Sequence, residues 1–340
     1  MVDFTVTICT YNGASQLPQV LDLLLVQQHT DNLSWDVLIV DNHSTDSTAA
    51  LIRHYQSQWR QDAPLRYCLE PCQGLAYARR RAIASTTAPW IGFLDDDNPP
   101  APDWVRQAYD FGQAHPQAGA YGSEIQALYE PGVTPPSGFE RIAPLLAIIQ
   151  RGPEPFIYTH QRGVLPAGAG MVIRRGAWLA HVPEQPCMVG VKGRSLVAKG
   201  EDVETLGYIR DGGWQVWHNP AMKIGHTLPA RRLQRSYLVN LCRSVGLNRF
   251  PLRMVRYRPW QRPFMVLAYC LSDLLRLGRY LRQPRGSRAE EVVRACELTL
   301  LVSSLLSPFY ALQAALTLGH KSLLDRLARF TFRQTLNFEP

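Results

Sequence analysis

Three adjacent carboxylates, Asp95-Asp96-Asp97, carry the clearest chemical signal in this 340-residue chain. Side by side they repel, and an unpaired cluster raises its own pKa values. A divalent cation removes that cost. Hard carboxylate oxygens suit Mg2+ or Mn2+, ions that also take substrate phosphates as ligands. The alternative is a solvated turn completed by Asn98-Pro99-Pro100. Asp41 follows an apolar run and can accept an N–H from a base or hydroxyls from a ribose; it can equally cap the Ser44–Ser47 turn. Gly74 with Arg79, Arg80 and Arg81 puts cations near a helix start, a setting that suits phosphate or, alternatively, forms an exposed basic face. Gly200-Glu201-Asp202 opens another helix, as a capping cluster or as an acid-base group. His226 stands alone after a strand-like segment and reads as structural as readily as ligating.

These residues need elements that bring them together. Phe4–Thr10 alternates apolar and polar residues, and Trp35–Val40 and Trp90–Leu94 are short continuous apolar runs. Such runs, bounded by polar clusters, predict buried parallel strands. Helix signals lie between them: residues 15–26 behind Ser15, residues 49–59 behind Ser44–Thr48, and Leu75–Ser85 behind Gly74. Strands alternating with helices imply a doubly wound α/β sheet. The polar groups Thr10-Tyr11-Asn12, Asp41-Asn42 and Asp95–Asn98 each follow a strand. Ligands of open α/β sheets sit outside the carboxyl ends of strands, so the three groups should converge on one crevice. Residues 131–165 are rich in Pro and Gly and read as a long loop.

Composition narrows the class. The apolar share is 46% and the charged share 19%, which excludes a wholly disordered chain. Seven scattered cysteines, none in a CxxC pair, fit a reducing compartment. Met1–Thr5 has no basic or apolar leader pattern, so no signal peptide is expected. Residues 223–340 hold 20 Lys and Arg against 6 Asp and Glu, whereas the first 222 residues hold 16 against 22. There is no GxxxxGK[ST], HExxH or strand-linked GxGxxG, which argues against a P-loop nucleotidase, a zinc protease and a dinucleotide dehydrogenase.

The ordered set Val6–Asn12, Val40–Asp46, Gly74–Arg79, Phe93–Asp97 and Gly200–Asp202 closely resembles the family 2 glycosyltransferases, over about residues 3–228. Within that family Phe93–Trp104 and Ala118–Gly122 look like the hormogonium polysaccharide biosynthesis enzymes of filamentous cyanobacteria. The resemblance implies a glycosyltransferase-A fold: a Rossmann-like, mostly parallel sheet with helices on both faces, followed by a helical C-terminal extension. It divides the chain into a catalytic domain 1–228 (nucleotide-binding half 1–98, acceptor half 99–228) and a basic, apolar extension 229–340.

The same resemblance implies roles. Thr10, Tyr11 and Asn12 would line the nucleotide, Asp41 and Asn42 would lie at the base, and Gly74 and Arg79 would approach the nucleotide. Asp95 and Asp96 would belong to the donor site. Asp97 would ligate Mn2+ or Mg2+, with Asp95 at ribose or a metal water and His226 near metal or diphosphate. Asp202 would be the general base, with Glu201 beside it, and Gly168–Gly170 would wall donor from acceptor. Two departures matter. Position 80 is Arg where relatives often have Asn, and no Gln-x-x-Arg-Trp follows Asp202, which favours single-sugar transfer over processive synthesis.

The implied activity is inverting transfer of a hexose from a nucleoside-diphosphate sugar, usually UDP-linked, to a hydroxyl of a glycan or lipid-linked acceptor in polysaccharide or exopolysaccharide biosynthesis. A nucleotidyltransferase, or a nucleic-acid binder using the Arg-rich stretch 231–262, are the alternatives. The carboxylate clusters would repel a polyanion, so nucleic acid is not expected. Leu298–Leu318 is a run of 21 uncharged residues, and residues 321–336 place Leu and Phe at helical spacing between Arg residues. Arg-rich segments on every side oppose simple spanning. The expectation is a cytoplasmic protein, peripheral or monotopic on the acidic inner face of the cell membrane.

Overall fold

The structure is a computed structural model that describes residues 2–159, 165–185, 200–254, 257, 259–283 and 287–317. The run 321–336 lies outside the described residues.

In chain order the first elements are β1 (Phe4–Thr10), α1 (Leu17–Leu25), β2 (Trp35–Asp41), α2 (Thr48–Gln58), β3 (Leu65–Leu69), α3 (Leu75–Ala84), β4 (Trp90–Leu94), α4 (Trp104–Ala114) and β5 (Ala118–Tyr129). They are followed by β6 (Phe156–Ile157), β7 (Met171–Arg174), α5 (Arg175–His181), α6 (Glu201–Asp211) and β8 (Gln215–Leu228). Among the described residues the strands form one sheet in the order β3-β2-β1-β4-β7-β5-β8-β6. The pairs β1–β2, β1–β4, β2–β3 and β5–β8 are parallel; β7 and β6 run antiparallel to their neighbours. The expected α/β class, mostly parallel with helices between strands, is the observed one.

The apolar runs form strands because both faces are covered. β2 and β4 are buried along their whole lengths. Phe4, Val6, Ile8, Leu21, Trp35 and Trp104 join one core cluster, while Leu38, Val40, Phe93 and Ile209 join a second. Trp104 meets Phe4 edge-on at 6.2 Å, and its indole N–H donates to Ser123 Oγ at 3.1 Å. That bond satisfies the polar end of a fully buried ring.

One helix start departs from the expected cap and another uses a residue of the expected Ser44–Thr48 group. α1 begins at Leu17 rather than behind Ser15, because the Gly13 carbonyl accepts the amides of Gln16 and Leu17. Just before α2, the Asp46 carboxylate accepts the amide and hydroxyl of Thr48, the first residue of the helix. Within 131–165 the chain makes two short 3-10 turns, Phe139–Arg141 and Ala143–Leu146, before β6.

The chain divides into two compact units. One runs to Tyr129 and resumes from Ala147, ending at Leu228; the other takes in Glu130–Leu146 and the chain from Pro229. The second unit holds α7 (Ala230–Leu233), α8 (Arg235–Leu247), α9 (Arg249–Met254), α10 (Arg262–Arg282) and α11 (Glu291–Thr317). Several arginines of the 231–262 stretch are used inside this unit. Arg253 forks onto buried Asp273 at 2.5 and 2.9 Å, and Arg249 donates to Ser304 at 3.1 Å. Both therefore have partners inside this unit.

Candidate active site at the carboxyl ends of the strands

Register brings the motif residues level. Thr10 pairs with Asp41, and Ile8 pairs with Leu94, so Asp96 lies two residues past Leu94, at the height of Thr10. The Thr10 hydroxyl donates to Asp96 Oδ2 at 2.6 Å. Asn12 adopts φ 54°; its amide donates to Ser44 Oγ at 2.9 Å and its side-chain oxygen accepts the Thr45 amide at 2.8 Å. Three of the expected residues thus tie the ends of β1, β2 and β4 into one rim. Tyr11 sits between them, half-buried.

Asp41 and Asn42 are both buried and both serve the framework. Asp41 accepts the Ser44 amide at 2.8 Å and the Tyr67 hydroxyl at 3.0 Å. Burial and that carboxylate push the Tyr67 phenol up to about 12. Asn42 donates to the Glu70 and Cys72 carbonyls and accepts the Gly74 amide at 2.7 Å, so its amide is occupied by the loop before α3. Gly74 holds φ 140°, a backbone conformation that a side chain disfavours, and its carbonyl accepts the Tyr77 and Ala78 amides. Tyr67 and Glu70 were not singled out in the sequence. β3 is partly exposed and interrupted by Arg66 and Cys68, so it gives no apolar run to notice.

Of the three α3 arginines only Arg79 enters the site. Arg80 reaches the exposed Glu184, and Arg81 pairs with Glu70 at 3.2 Å. Arg79 is 3% exposed. It lies 5.7 Å from the Phe93 ring centroid and 3.4 Å from Glu201 Oε1. Burial pulls its pKa down, but Glu201, Asp202 and Asp95 outweigh that and raise it. Gly168 makes this possible: a Cβ there would stand 2.2 Å from an Arg79 guanidinium nitrogen. Asp202, in the first turn of α6, accepts the Gly168 amide at 3.0 Å and the Val203 amide at 2.8 Å.

The acidic loop after β4 is laid along β8. Gly225 donates to the Pro99 carbonyl at 2.8 Å, Asn98 donates to the Gly225 carbonyl at 3.0 Å, and Ala101 donates to the Lys223 carbonyl at 2.9 Å. This contact places His226 Nε2 3.6 Å from Asp97 Oδ2. Adjacent ligands of an octahedral ion with ~2.1 Å bonds stand roughly 3 Å apart, so a small adjustment lets both side chains bind one cation. Among the described residues no three His, Cys, Asp or Glu side chains converge as a ready cage. Mg2+ usually keeps several waters and takes its remaining ligands from substrate phosphates, so a two-residue protein donor set fits.

Burial raises the Asp95 carboxyl; Arg79 opposes, Asp97 adds to the rise, His226 opposes and Asp202 adds. An acid with a raised folded pKa contributes stability that is complete below its unfolded value and is lost as pH climbs through the folded value. Asp95→Asn should therefore stabilise the ligand-free protein, with a gap over wild type that widens from pH 4 to pH 8 in urea unfolding. A gap independent of pH would reject the strained carboxylate.

Residues 5–170 match the model of Glycosyl transferase family 2. A lipopolysaccharide core biosynthesis glycosyltransferase of Rhizobium meliloti, LpsC, is 36% identical over 63 residues, 18% of this chain and 22% of that protein. The chain therefore spans under a quarter of the length of this curated relative. The structure of GalNAc-T7 with UDP, GalNAc and Mn2+ is similar at a TM-score of 0.50 and 13% identity, covering 92% of this chain and 58% of that one. The mannosyltransferase PcManGT of Pyrobaculum calidifontis, in complex with GDP-Man and Mn2+, is 17% identical over 99% of this chain and 88% of that one, with a TM-score of 0.48. On a glycosyltransferase-A type of fold, the Glycosyl transferase family 2 match takes in the motif residues from Thr10 to Asp97 and stops before Glu201, Asp202 and His226.

Proposed function

We propose that the chain is an inverting glycosyltransferase that moves a sugar from a nucleoside-diphosphate donor, UDP-linked, to a hydroxyl acceptor. The observation that supports it best is the meeting, at one end of the sheet, of an Asp97–His226 pair with an Arg79–Glu201–Asp202 group. Thr10, Tyr11 and Asn12 form the rim over the nucleotide. Asp97 and His226 would hold a divalent cation, which would supply charge neutralisation for the departing diphosphate. Asp202 takes the proton of the acceptor hydroxyl as the new bond to the anomeric carbon forms. A positioned base contributes roughly 10²–10⁴-fold. Its two backbone contacts fix the carboxylate, and Arg79 balances its charge from the buried side.

The reading extends to a catalytic domain 1–228 and an extension 229–340 that meets an acidic membrane surface on the cytoplasmic side, near a glycan or lipid-linked acceptor. Glu291–Gln313 is long and apolar enough to cross a membrane, with only 28% of its most apolar window buried. The wider motif set supports a polysaccharide-forming enzyme of the hormogonium type.

Product analysis tests the reaction class. Incubation with donor sugars and Mn2+ should release free nucleoside diphosphate. Release of pyrophosphate would assign a nucleotidyltransferase instead. Asp97→Ala should lose metal-dependent nucleotide affinity by at least tenfold in calorimetric titration; unchanged affinity would remove Asp97 from the metal.

A further inference from the structure

α10 carries an outward face with one kind of chemistry. Phe264, Leu267, Leu271, Leu274, Leu275 and Leu281 are each 52–71% exposed. At 100° per residue they fall within an arc of about 120° along a helix of about 31 Å. Trp260, just before the helix, is likewise exposed. Of the exposed arginines of α10, Arg282 lies within this arc and Arg279 beside it, whereas Arg276 stands on the opposite side of the helix. The one acid, Asp273, points the other way; it is 1% exposed and held by both guanidinium nitrogens of Arg253. Pairing the acid inside leaves the outer surface apolar with cations only.

We propose that this face of α10 docks on the headgroup region of an acidic lipid bilayer, lying in its plane. The inference rests on the membrane-surface reading above and names the element that makes the contact. Interfacial helices bury an apolar face about 5–10 Å into the boundary while basic residues meet anionic lipid. Charge selects this occupant over the others. A two-fold contact between copies would set this Arg-bearing face against itself. The C-terminal run from Lys321 to Arg333 has Lys321, Arg326, Arg329 and Arg333 against Asp325, so it too is repelled. Anionic headgroups complement the face.

The test is flotation of the full chain with vesicles of phosphatidylcholine alone or with 30% phosphatidylglycerol. Wild type should bind the acidic vesicles and be released by high salt. Leu267→Glu/Leu271→Glu should weaken binding about 100-fold with unchanged melting temperature. Arg279→Gln/Arg282→Gln should weaken it by about fivefold per arginine, on acidic vesicles only. If wild type binds and both variants bind equally well, the α10 assignment fails while the membrane reading stands. If wild type binds no vesicle, both fail. A large fall in melting temperature of the Leu→Glu variant would show that the face packs on the chain itself. Conversion of a dimer to a monomer with unaltered flotation would assign the face to a second copy. Either result overturns the proposal.

Discussion

Asp202→Asn should abolish sugar transfer, with at least a 10²-fold fall in kcat, while the affinity for nucleoside diphosphate stays within about twofold of wild type. The reasoning is local. Asn keeps the side-chain volume and one oxygen for the Gly168 amide, giving up only the contact of the other oxygen with the neighbouring Val203 amide. It removes the group that can take a proton. Stopped assays of donor consumption and calorimetric titration with nucleotide separate the two effects. Near-normal turnover in Asp202→Asn would reject it as the base, and parallel loss of binding and turnover would make it a donor contact.

Arg79→Met should have the largest effect on stability, about 3–5 kcal/mol, the usual result of removing one partner of a buried ion pair. Arg79 and Glu201 are both buried, and Asp95 and Asp202 also lie within its electrostatic reach. Taking away the cation leaves an acidic pocket without its internal counter-charge. Arg79→Met/Glu201→Gln should recover part of the loss, because two residues in direct contact are not additive. Urea unfolding of the two single variants and the double variant measures the coupling. A single variant with wild-type stability, or strictly additive losses, would show that Arg79 does not act through Glu201.

Much of the frame was readable in advance, for identifiable reasons. β1, β2 and β4 are buried on both faces, so their sequences are apolar runs with sharp polar ends, and those ends are the site. β3 escaped because it is an outer strand with Arg66 and Cys68 on it. The start of α1 shifted because a carbonyl, Gly13, does the capping that a serine side chain was expected to do. The site divides in the same way. Acidic residues at strand ends announce themselves, but their use does not. The sequence places Asp41 and Asn42 at a strand end but does not show that they also hold Ser44, Tyr67 and the loop to Gly74. Of the arginines at 79–81, Arg79 shares the buried face of α3 with Ala76, Ala82 and Ile83, three and four residues away. What the spacing does not show is Gly168, nearly ninety residues away, whose missing side chain leaves room for the Arg79 guanidinium. The Asp97–His226 approach likewise depends on the loop after β4 lying along β8.

Thermal stabilisation by nucleoside diphosphates, with and without Mn2+, tests the central claim most directly. UDP, GDP, dTDP and CDP would be compared on the purified full chain. A ligand at 100 times its dissociation constant stabilises by about 2.7 kcal/mol, a shift of several degrees. The account predicts that one diphosphate, UDP first, raises the melting temperature only with metal present, and that Asp97→Ala abolishes the shift. Absence of stabilisation by every diphosphate, with and without Mn2+, would contradict a donor site at Asp95–Asp97.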